Sequence, residues 1–331
     1  MRPALAALAA ADRPDAQSAA LLDALQAERA AAQASRSPSD RLTRLEAWRA
    51  DHQALAGWVG SPLPALAAVD DLVVPVGRHA EPALAIRRYQ PTPEARRALV
   101  YLQGGGWVAG GLDAADRVCR QLALAIDAQV FSVDYRLAPE SPFPAAVTDV
   151  VRAFGYLRSE ARSFGIDPDR LLMVGEGAGG QLALTAARWL KRDGAALPAA
   201  LLLFCPITDR RLVSASARQF AQGPLHSADD LRWCWDAFAG ESGLPEAHPD
   251  LSPLLADDLS GLPRTFVLTA GCDPLRDEGE QMAVQLRRAG VPAEFERMPG
   301  AIHGFLRFGD RLDSAARGLV SVAEVLARWR L

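Results

Sequence analysis

The chain has 331 residues, of which 50% are hydrophobic and 23% are charged, and its formal net charge is −4 at pH 7. This composition indicates a folded protein with a large core and excludes an intrinsically disordered chain. No basic stripe is visible, so we expect no nucleic-acid partner. The four cysteines are scattered without a close pair, which argues against a disulfide framework or a zinc site and favours a reducing compartment.

The start of the chain contains a short alanine-rich apolar stretch at residues 4–11. Asp12 and Arg13 cut this stretch off, so an ordinary helix is favoured over a signal peptide. No segment approaches the ~20 apolar residues that are needed to cross a membrane. The sequence therefore predicts a cytoplasmic protein without a membrane span.

Residues 1–65 are rich in alanine, arginine, leucine and glutamine, which are strong helix formers. Apolar residues recur at three- and four-residue spacing in two groups, Leu21, Leu22 and Leu25, and then Leu42, Leu45 and Trp48. A break that carries a Ser-Pro pair and an aspartate separates the groups at residues 35–40. The pattern predicts two amphipathic helices, which we interpret as an N-terminal cap.

From residue 66 to the end, short apolar runs alternate with helical stretches. The runs occupy residues 72–76, 84–89, 98–102, 130–133, 171–174, 200–204, 265–269 and 293–296. This alternation predicts an α/β core with a mostly parallel sheet and helices on both faces. The short connections between the first runs predict an antiparallel start.

One segment, at about residues 211–250, interrupts the alternation between two predicted strands. It contains Phe220, Trp233, Trp235 and Phe238 in a helix-like spacing. An insertion at the carboxyl end of a strand is placed to cover a pocket, so we predict a second cap segment here. Its aromatic residues indicate a small, apolar ligand.

Three consecutive glycines directly follow the predicted strand 98–102. They belong to the segment Gln103-Gly104-Gly105-Gly106-Trp107. Glycines let the backbone turn sharply and expose N–H groups, which can bind a developing oxyanion. A flexible turn is the ordinary alternative, and for this motif alone it would be preferred.

A second glycine-rich segment, residues 175–180, lies between a predicted strand and a predicted helix. This is the strand–turn–helix context of the G-x-S-x-G nucleophile elbow, but the central residue is Gly177, which has no hydroxyl. A dinucleotide-binding loop is a weaker interpretation, because no acidic ribose partner is evident ~20 residues later.

An acid and a histidine follow the last two predicted strands. Asp273 comes soon after the run 265–269, and His303 comes after the last strand. Their order along the chain, behind the elbow, matches the serine–acid–histidine order of α/β hydrolases. A lone histidine is more often structural than catalytic, but only His303 among the five histidines has this context.

With these motifs in order, the chain resembles the bacterial hormone-sensitive-lipase-like carboxylesterases over roughly residues 70–310. The family's HGGG motif corresponds to residues 103–106, its DYRLAPE segment is intact at residues 134–140, and its GDSAGG elbow corresponds to residues 175–180. The resemblance implies an α/β-hydrolase fold, in which a helical cap covers an eight-stranded sheet. We expect no cofactor and no metal.

The resemblance also implies a role for individual residues. The N–H groups of Gly104, Gly105 and Ala178 would form an oxyanion hole, and Asp273 would orient His303. Two positions depart from the family, because Gly177 replaces the serine nucleophile and Gln103 replaces a histidine. Serine-dependent acyl-enzyme chemistry through this site is therefore excluded.

Further polar and aromatic residues lie near the motifs or in the insertion. Gln103, Trp107 and His226 are candidate substrate contacts, although a surface position is favoured for His226. Cys272 is rejected as a substitute nucleophile, because neighbours at a strand end usually point to opposite sides. Structural roles are favoured for Cys205, Glu176, Arg136 and Glu140.

Three functions remain open. The first is an enzyme that uses the His303–Asp273 pair and the oxyanion hole without a covalent intermediate, for elimination, cyclisation, isomerisation or water-mediated hydrolysis of an apolar carbonyl or ester compound. The second is a ligand-binding pseudoenzyme. The third is a carboxylesterase with an engineered serine-to-glycine change, against which the second departure, Gln103, argues.

Overall fold

The computed structural model describes residues 13–34, 43–57, 62–77 and 81–331. The alanine-rich start of the chain and the predicted break at 35–40 lie outside these ranges. The helices are α1 (Ala16–Ala34), α2 (Arg44–Gly57), α3 (Leu112–Ile126), α4 (Ala145–Glu160), α5 (Ala178–Arg192), α6 (Ala215–Gln219), α7 (Ala228–Ala239), α8 (Arg276–Arg288) and α9 (Asp313–Trp329). Short 3₁₀ helices include Pro253–Leu255 and Phe305–Phe308.

Eight strands form one sheet in the described chain. They are β1 (Ala68–Val74), β2 (Leu84–Gln90), β3 (Arg97–Leu102), β4 (Ala128–Val133), β5 (Leu171–Glu176), β6 (Ala200–Phe204), β7 (Arg264–Cys272) and β8 (Ala293–Ile302). Their spatial order is β1-β2-β4-β3-β5-β6-β7-β8. Each predicted apolar run overlaps one strand, so the predicted α/β-hydrolase sheet is confirmed.

Only the second strand runs opposite to the other seven. β1 pairs with β2 and β2 pairs with β4 in antiparallel fashion, whereas the pairs from β4 through β8 are parallel. Edge strand β1 alternates between exposed and partly buried residues, while β4, β5 and β6 are buried throughout. Continuous burial is expected for parallel strands that helices cover on both faces.

Alternate residues of a strand enter two separate hydrophobic clusters, one on each face of the sheet. In β6, Leu201 and Leu203 belong to one cluster, and Leu202 and Phe204 belong to the other. Helices α4 and α5 contribute to the first cluster, and α3 and α9 contribute to the second. The core therefore consists of two apolar layers with the sheet between them.

Two charged residues of the segment 134–140 anchor neighbouring elements. Arg136 makes a bidentate ion pair with the buried Asp149 of α4, at 2.8 and 2.9 Å. Glu140 accepts two hydrogen bonds, at 2.8 and 2.7 Å, from Arg49 of α2. The second contact attaches α2 to the core. Both side chains have the expected structural role, but they do not pair with each other.

Within the described ranges, every helix is too short or too polar to span a lipid bilayer.

The turn between β5 and α5 is packed so closely that it requires glycine at two positions. A Cβ atom on Gly179 would lie 2.0 Å from the carbonyl oxygen of Leu102, and one on Gly175 would lie 2.1 Å from the carbonyl oxygen of Gly179. These separations are far below van der Waals contact, and in both cases the nearest atom belongs to the backbone. The start of α5 is therefore pressed against β5 and β3.

We expect Gly179→Ala to lower the free energy of unfolding by about 1–3 kcal/mol or more, because backbone must move to admit the methyl group. Gly155→Ala is the matched control. Gly155 is exposed in α4, and a Cβ atom there meets nothing within 4 Å. This change should raise the free energy of unfolding by up to about 1 kcal/mol through helix propensity. Urea unfolding of both variants measures the difference, and equal effects would contradict the packing described.

Candidate active site

Four loops meet at one edge of the sheet. The glycine loop follows β3, the Gly177 turn follows β5, Asp273 follows β7, and His303 follows β8. All four strands are parallel, so their carboxyl ends lie at the same edge. Ligand sites of open α/β sheets occur at this edge. The loops surround a pocket.

His303 and Asp273 form a buried pair. The Nδ1 atom of His303 lies 2.8 Å from Oδ2 of Asp273, and the backbone N–H of Leu275 donates to Oδ1 of Asp273 at 2.9 Å. Asp273 is completely buried. Because an ionised carboxylate only accepts hydrogen bonds, the Nδ1 atom carries the proton. In the neutral ring, Nε2 therefore remains free to accept a proton.

The pair also sets the protonation equilibrium of the imidazole. Burial alone would lower the pKa of His303, but the charge of Asp273 and its hydrogen bond outweigh burial, so this pKa is raised above its ordinary value of 6.5. His303 is a stronger base than a free histidine.

The free Nε2 atom of His303 faces Gly177. A Cβ atom built on Gly177 would lie 3.3 Å from Nε2 and 3.5 Å from Cε1. The backbone of Gly177 has φ 52° and ψ −112°, a conformation that residues other than glycine rarely adopt. The turn thus has the backbone form of a nucleophile elbow and directs the Cα–Cβ vector of residue 177 at the base.

The three expected oxyanion donors lie beside this turn. Gly105 and Ala178 line the pocket, and Gly104 precedes Gly105 in the glycine loop. Among the described residues, none accepts a hydrogen bond from the backbone N–H of Gly104, Gly105 or Ala178. Ala178 is the first residue of α5, where a helix leaves its N–H groups unpaired. These donors are available to a bound oxygen atom.

Gln103 does not line the pocket, so the expected substrate contact is wrong for this residue. Its side chain is buried, and its Oε1 atom accepts a hydrogen bond from the backbone N–H of Gly111. The hydroxyl of Tyr135 donates to the carbonyl oxygen of Gln103 at 2.8 Å. Gln103 supports the glycine loop from inside the protein.

Trp107 is also a structural residue and not the expected substrate contact. Its side chain is fully buried, and its Nε1 atom donates to Gln181 at 3.2 Å. Its ring packs on Trp235 and Phe238, with centroids 4.3 and 4.5 Å apart. Two aromatic residues of the insertion, Trp235 and Phe238, therefore pack against the core. The spacing of apolar residues along the sequence does not show this contact.

His226 lies in the pocket, and the preference for a surface position is wrong. The side chain is buried, and its ring centroid is 5.6 Å from that of His303 in an edge-on arrangement. It also stacks on His52 of α2, at 5.9 Å. Burial, followed by the charge of His303, lowers the pKa of His226 well below its ordinary value. His226 is therefore a neutral group within reach of a ligand.

The structure adds pocket residues that the sequence analysis did not select. Trp48 and His52 stand four residues apart on one face of α2, and both line the pocket. Glu176 and Arg307 line it as well, joined by a hydrogen bond of 2.7 Å from Nε to Oε1. The four-residue spacing of Trp48 and His52 indicates that both lie on one face of a helix. The sequence does not indicate what this face covers.

The remaining pocket surface is mainly apolar. It is contributed by Leu55 of α2, Leu225 and Leu231 of the insertion, Ile207 and Phe308. Residues of both segments that were predicted as caps thus line the pocket, and Trp48 of the first segment donates a hydrogen bond to the carbonyl oxygen of Gly105 in the glycine loop at 3.2 Å.

One set of described residues brings potential metal ligands together. Atoms of Cys205, Asp273 and His303 lie within 4.8 Å of one another. The Nδ1 atom of His303 and the carboxylate are already hydrogen-bonded to each other, however. Burial and the charge of Asp273 raise the pKa of the Cys205 thiol well above its ordinary value, which disfavours the thiolate that a metal needs. Cys272 is fully buried and does not line the pocket, in agreement with its rejection as a nucleophile.

Comparison with known proteins gives consistent matches. A family model described as an alpha/beta hydrolase fold matches residues 99–307. An ethyl acetate hydrolase of Pseudomonas putida is 37% identical over 249 residues, which are 73% of this chain and 78% of that protein. Carboxylesterase NlhH of Mycobacterium tuberculosis is 38% identical over 257 residues, 73% of this chain and 79% of its own.

Two solved structures of α/β hydrolases are also similar to this chain over nearly its full length. The ester-hydrolase EH1AB1 from the metagenome of Lake Arreo, in complex with a derivative of bipyridine phosphonate, has 36% identity and a TM-score of 0.86, covering 96% of this chain and 100% of that one. A serine-to-alanine mutant of the α/β hydrolase LAE6 from the same metagenome has 35% identity and a TM-score of 0.86, covering 96% and 99%.

The vacant position above Gly177 can be tested by adding a hydroxyl. We expect Gly177→Ser to gain hydrolysis of short p-nitrophenyl esters and labelling of residue 177 by a fluorophosphonate, because the new side chain faces Nε2 of His303. The variant should lose about 1–3 kcal/mol of stability, since a non-glycine residue is strained at this φ.

The matched control is Gly177→Ala, which introduces the same strain without a hydroxyl. It should lose similar stability and gain no labelling. A folded Gly177→Ser variant that neither reacts with the fluorophosphonate nor hydrolyses esters would contradict the alignment of Gly177 with His303.

Proposed function

Because this chain belongs to the α/β-hydrolase-fold family of carboxylic ester hydrolases, we propose that it is an enzyme of that ancestry which works without a covalent nucleophile. In this proposal His303 is a general base, Asp273 orients it, and the N–H groups of Gly104, Gly105 and Ala178 bind an oxygen atom of the substrate. The substrate is a small carbonyl or ester compound with an apolar part.

One observation carries the proposal. The base retains its hydrogen bond to Asp273 at 2.8 Å and points at the position where a nucleophile would stand, although Gly177 offers no side chain there. A pocket that only binds a ligand requires neither a buried carboxylate nor an oriented imidazole. The space above Gly177 is instead suited to a substrate atom or a water molecule.

The chemistry follows from these positions. A substrate whose carbonyl oxygen accepts the three backbone N–H groups becomes more acidic at the neighbouring carbon and more electrophilic at the carbonyl carbon. His303 can take a proton from that carbon and, as an imidazolium, return it to the leaving group in an elimination or to another atom of the substrate in a cyclisation or isomerisation. It can instead take a proton from a water molecule that attacks the carbonyl carbon and return that proton to the oxygen atom of the departing alcohol. The charge of Asp273 stabilises the imidazolium that forms.

General-base catalysis contributes about 10²–10⁴-fold, and each oxyanion donor about 10²–10³-fold. These magnitudes suffice for useful catalysis without an acyl-enzyme. The N-terminal segment 1–65 and the insertion at about 211–250 would act as caps that limit the entry of water into the pocket.

The direct test is turnover of a panel of esters, lactones and β-hydroxy ketones, followed by mass spectrometry. We expect His303→Ala to lower kcat by at least about 10²-fold and to leave ligand affinity largely unchanged. Asp273→Asn should also lower kcat, because orientation and charge stabilisation are lost. His248→Ala is the matched control, since His248 does not line the pocket. Equal turnover by wild type and His303→Ala would exclude the role of this base, and no turnover of any compound would favour a ligand-binding pseudoenzyme.

The pH dependence of turnover follows from the raised pKa of His303. The base acts in its neutral form, so activity should fall as the pH decreases through a midpoint above 6.5. In Asp273→Asn, the charge that raises this pKa is absent, so the residual activity should decline at a lower pH than in the wild type. A midpoint that is the same in both proteins would show that another group limits the rate.

A further inference from the structure

The pocket wall contains an arginine that the proposed chemistry does not use. Arg307 follows His303 by four residues and lies in the 3₁₀ helix Phe305–Phe308. Its side chain is 16% exposed and lines the pocket. An arginine with so little access to solvent is expected to be fully engaged by acceptors.

Only one edge of this guanidinium is engaged. The Nε atom of Arg307 donates to Oε1 of Glu176 at 2.7 Å, and the hydroxyl of Tyr101 donates to Oε2 of Glu176 at 3.0 Å. Both carboxylate oxygens therefore have donors, and the ion pair fixes the plane of the guanidinium. Among the described residues, neither terminal nitrogen of Arg307 has a hydrogen-bond partner.

The unengaged end of Arg307 lies against the glycine loop. A Cβ atom on Gly104 would come within 2.7 Å of Nη2 of Arg307. Gly104 is one of the three proposed oxyanion donors, so the terminal nitrogen stands beside the position of a bound carbonyl oxygen. A second oxygen-bearing group on the same small molecule would lie within its reach.

Among the described lining residues, no carboxylate oxygen remains free for the terminal nitrogens of Arg307. Glu176 is the one carboxylate among the described pocket-lining residues, and both of its oxygens are occupied. His52 is 3% exposed, and its Nδ1 atom has no partner. Burial, followed by the charge of Arg307, lowers the pKa of His52 to about 3, so its ring is neutral. The wall thus combines a fixed cation with a neutral imidazole.

We propose, on the premise of the proposed function, that the substrate is an anion. It is a carbonyl compound that carries a carboxylate one or two carbon atoms from the reacting carbonyl group. The terminal nitrogens of Arg307 bind this carboxylate, as guanidinium groups do with planar anions. The carbonyl oxygen occupies the oxyanion donors, and the apolar remainder contacts Leu55, Leu225 and Leu231. A half-ester of a short dicarboxylic acid has this arrangement.

The test compares two esters that differ only in charge. Monoethyl succinate has a carboxylate where ethyl butyrate has a methyl group, and NMR titration gives the dissociation constant of each with the full chain. We expect the wild type to bind the half-ester about 10- to 100-fold more tightly, the usual effect of hydrogen bonds to a charged group. Arg307→Lys should keep part of this preference and Arg307→Gln should lose it. The surface variant Arg328→Gln changes the net charge equally and should keep it fully.

Loss of Arg307 leaves Glu176 buried without its partner, which can unfold the protein. The double variant Glu176→Gln/Arg307→Gln removes both charges and should fold while showing no preference. The single variant Glu176→Gln should instead strengthen half-ester binding, because the carboxylate that competes for the guanidinium is neutralised. An equal affinity of the wild type for both esters, or an equal weakening of both by the double variant, would overturn the proposal.

Binding is independent of turnover, so the two proposals can fail separately. His303→Ala should keep the preference for the half-ester. A preference without turnover of any compound would overturn only the proposed function, whereas turnover without a preference would overturn only the carboxylate site.

Discussion

The close contact of three backbone segments at the floor of the pocket determines the geometry of the site. The start of α5 can approach β3 and β5 only because Gly175 and Gly179 have no side chains. The turn at Gly177 is further attached to the neighbouring strand, since its N–H donates to the carbonyl oxygen of Phe204 at 2.9 Å and its own carbonyl oxygen accepts from Ile207 at 3.1 Å. This contact places the first N–H of α5 beside the glycine loop and opens the turn toward His303.

Glycine at position 177 fits this floor without strain, whereas any other residue would be held at an unfavourable φ. The chain therefore keeps the elbow backbone, the proposed base and the proposed oxyanion donors, while residue 177 has no hydroxyl. A buried carboxylate is costly unless it is hydrogen-bonded, and Asp273 receives one such bond from His303 and one from the backbone of Leu275. The pair is thus stable in the fold and remains chemically usable, which is why general-base chemistry accounts for the site better than a simple loss of function.

Much of the fold and the central pair could be predicted from the sequence, because both depend on local patterns. The eight apolar runs, the glycine motifs and the order of Asp273 and His303 are all visible along the chain. The rest of the pocket depends on which distant side chains meet. Gln103 and Trp107 flank the glycine motif, but their side chains are buried in the interior. His226 belongs to the predicted cap insertion, and its ring packs against His303. Arg307 has no motif of its own, and only its contact with Glu176 and Gly104 shows where its charge lies.

The central claim is that His303 acts as a general base and that turnover proceeds without a covalent intermediate. Intact-protein mass spectrometry on samples quenched during turnover tests this claim most directly. The account predicts that substrate disappears while the mass of the chain stays unchanged at every time point, and that His303→Ala does not consume the substrate on this time scale. A chain that gains the mass of an acyl group during turnover would contradict it, because a nucleophile other than the missing serine would then carry the reaction.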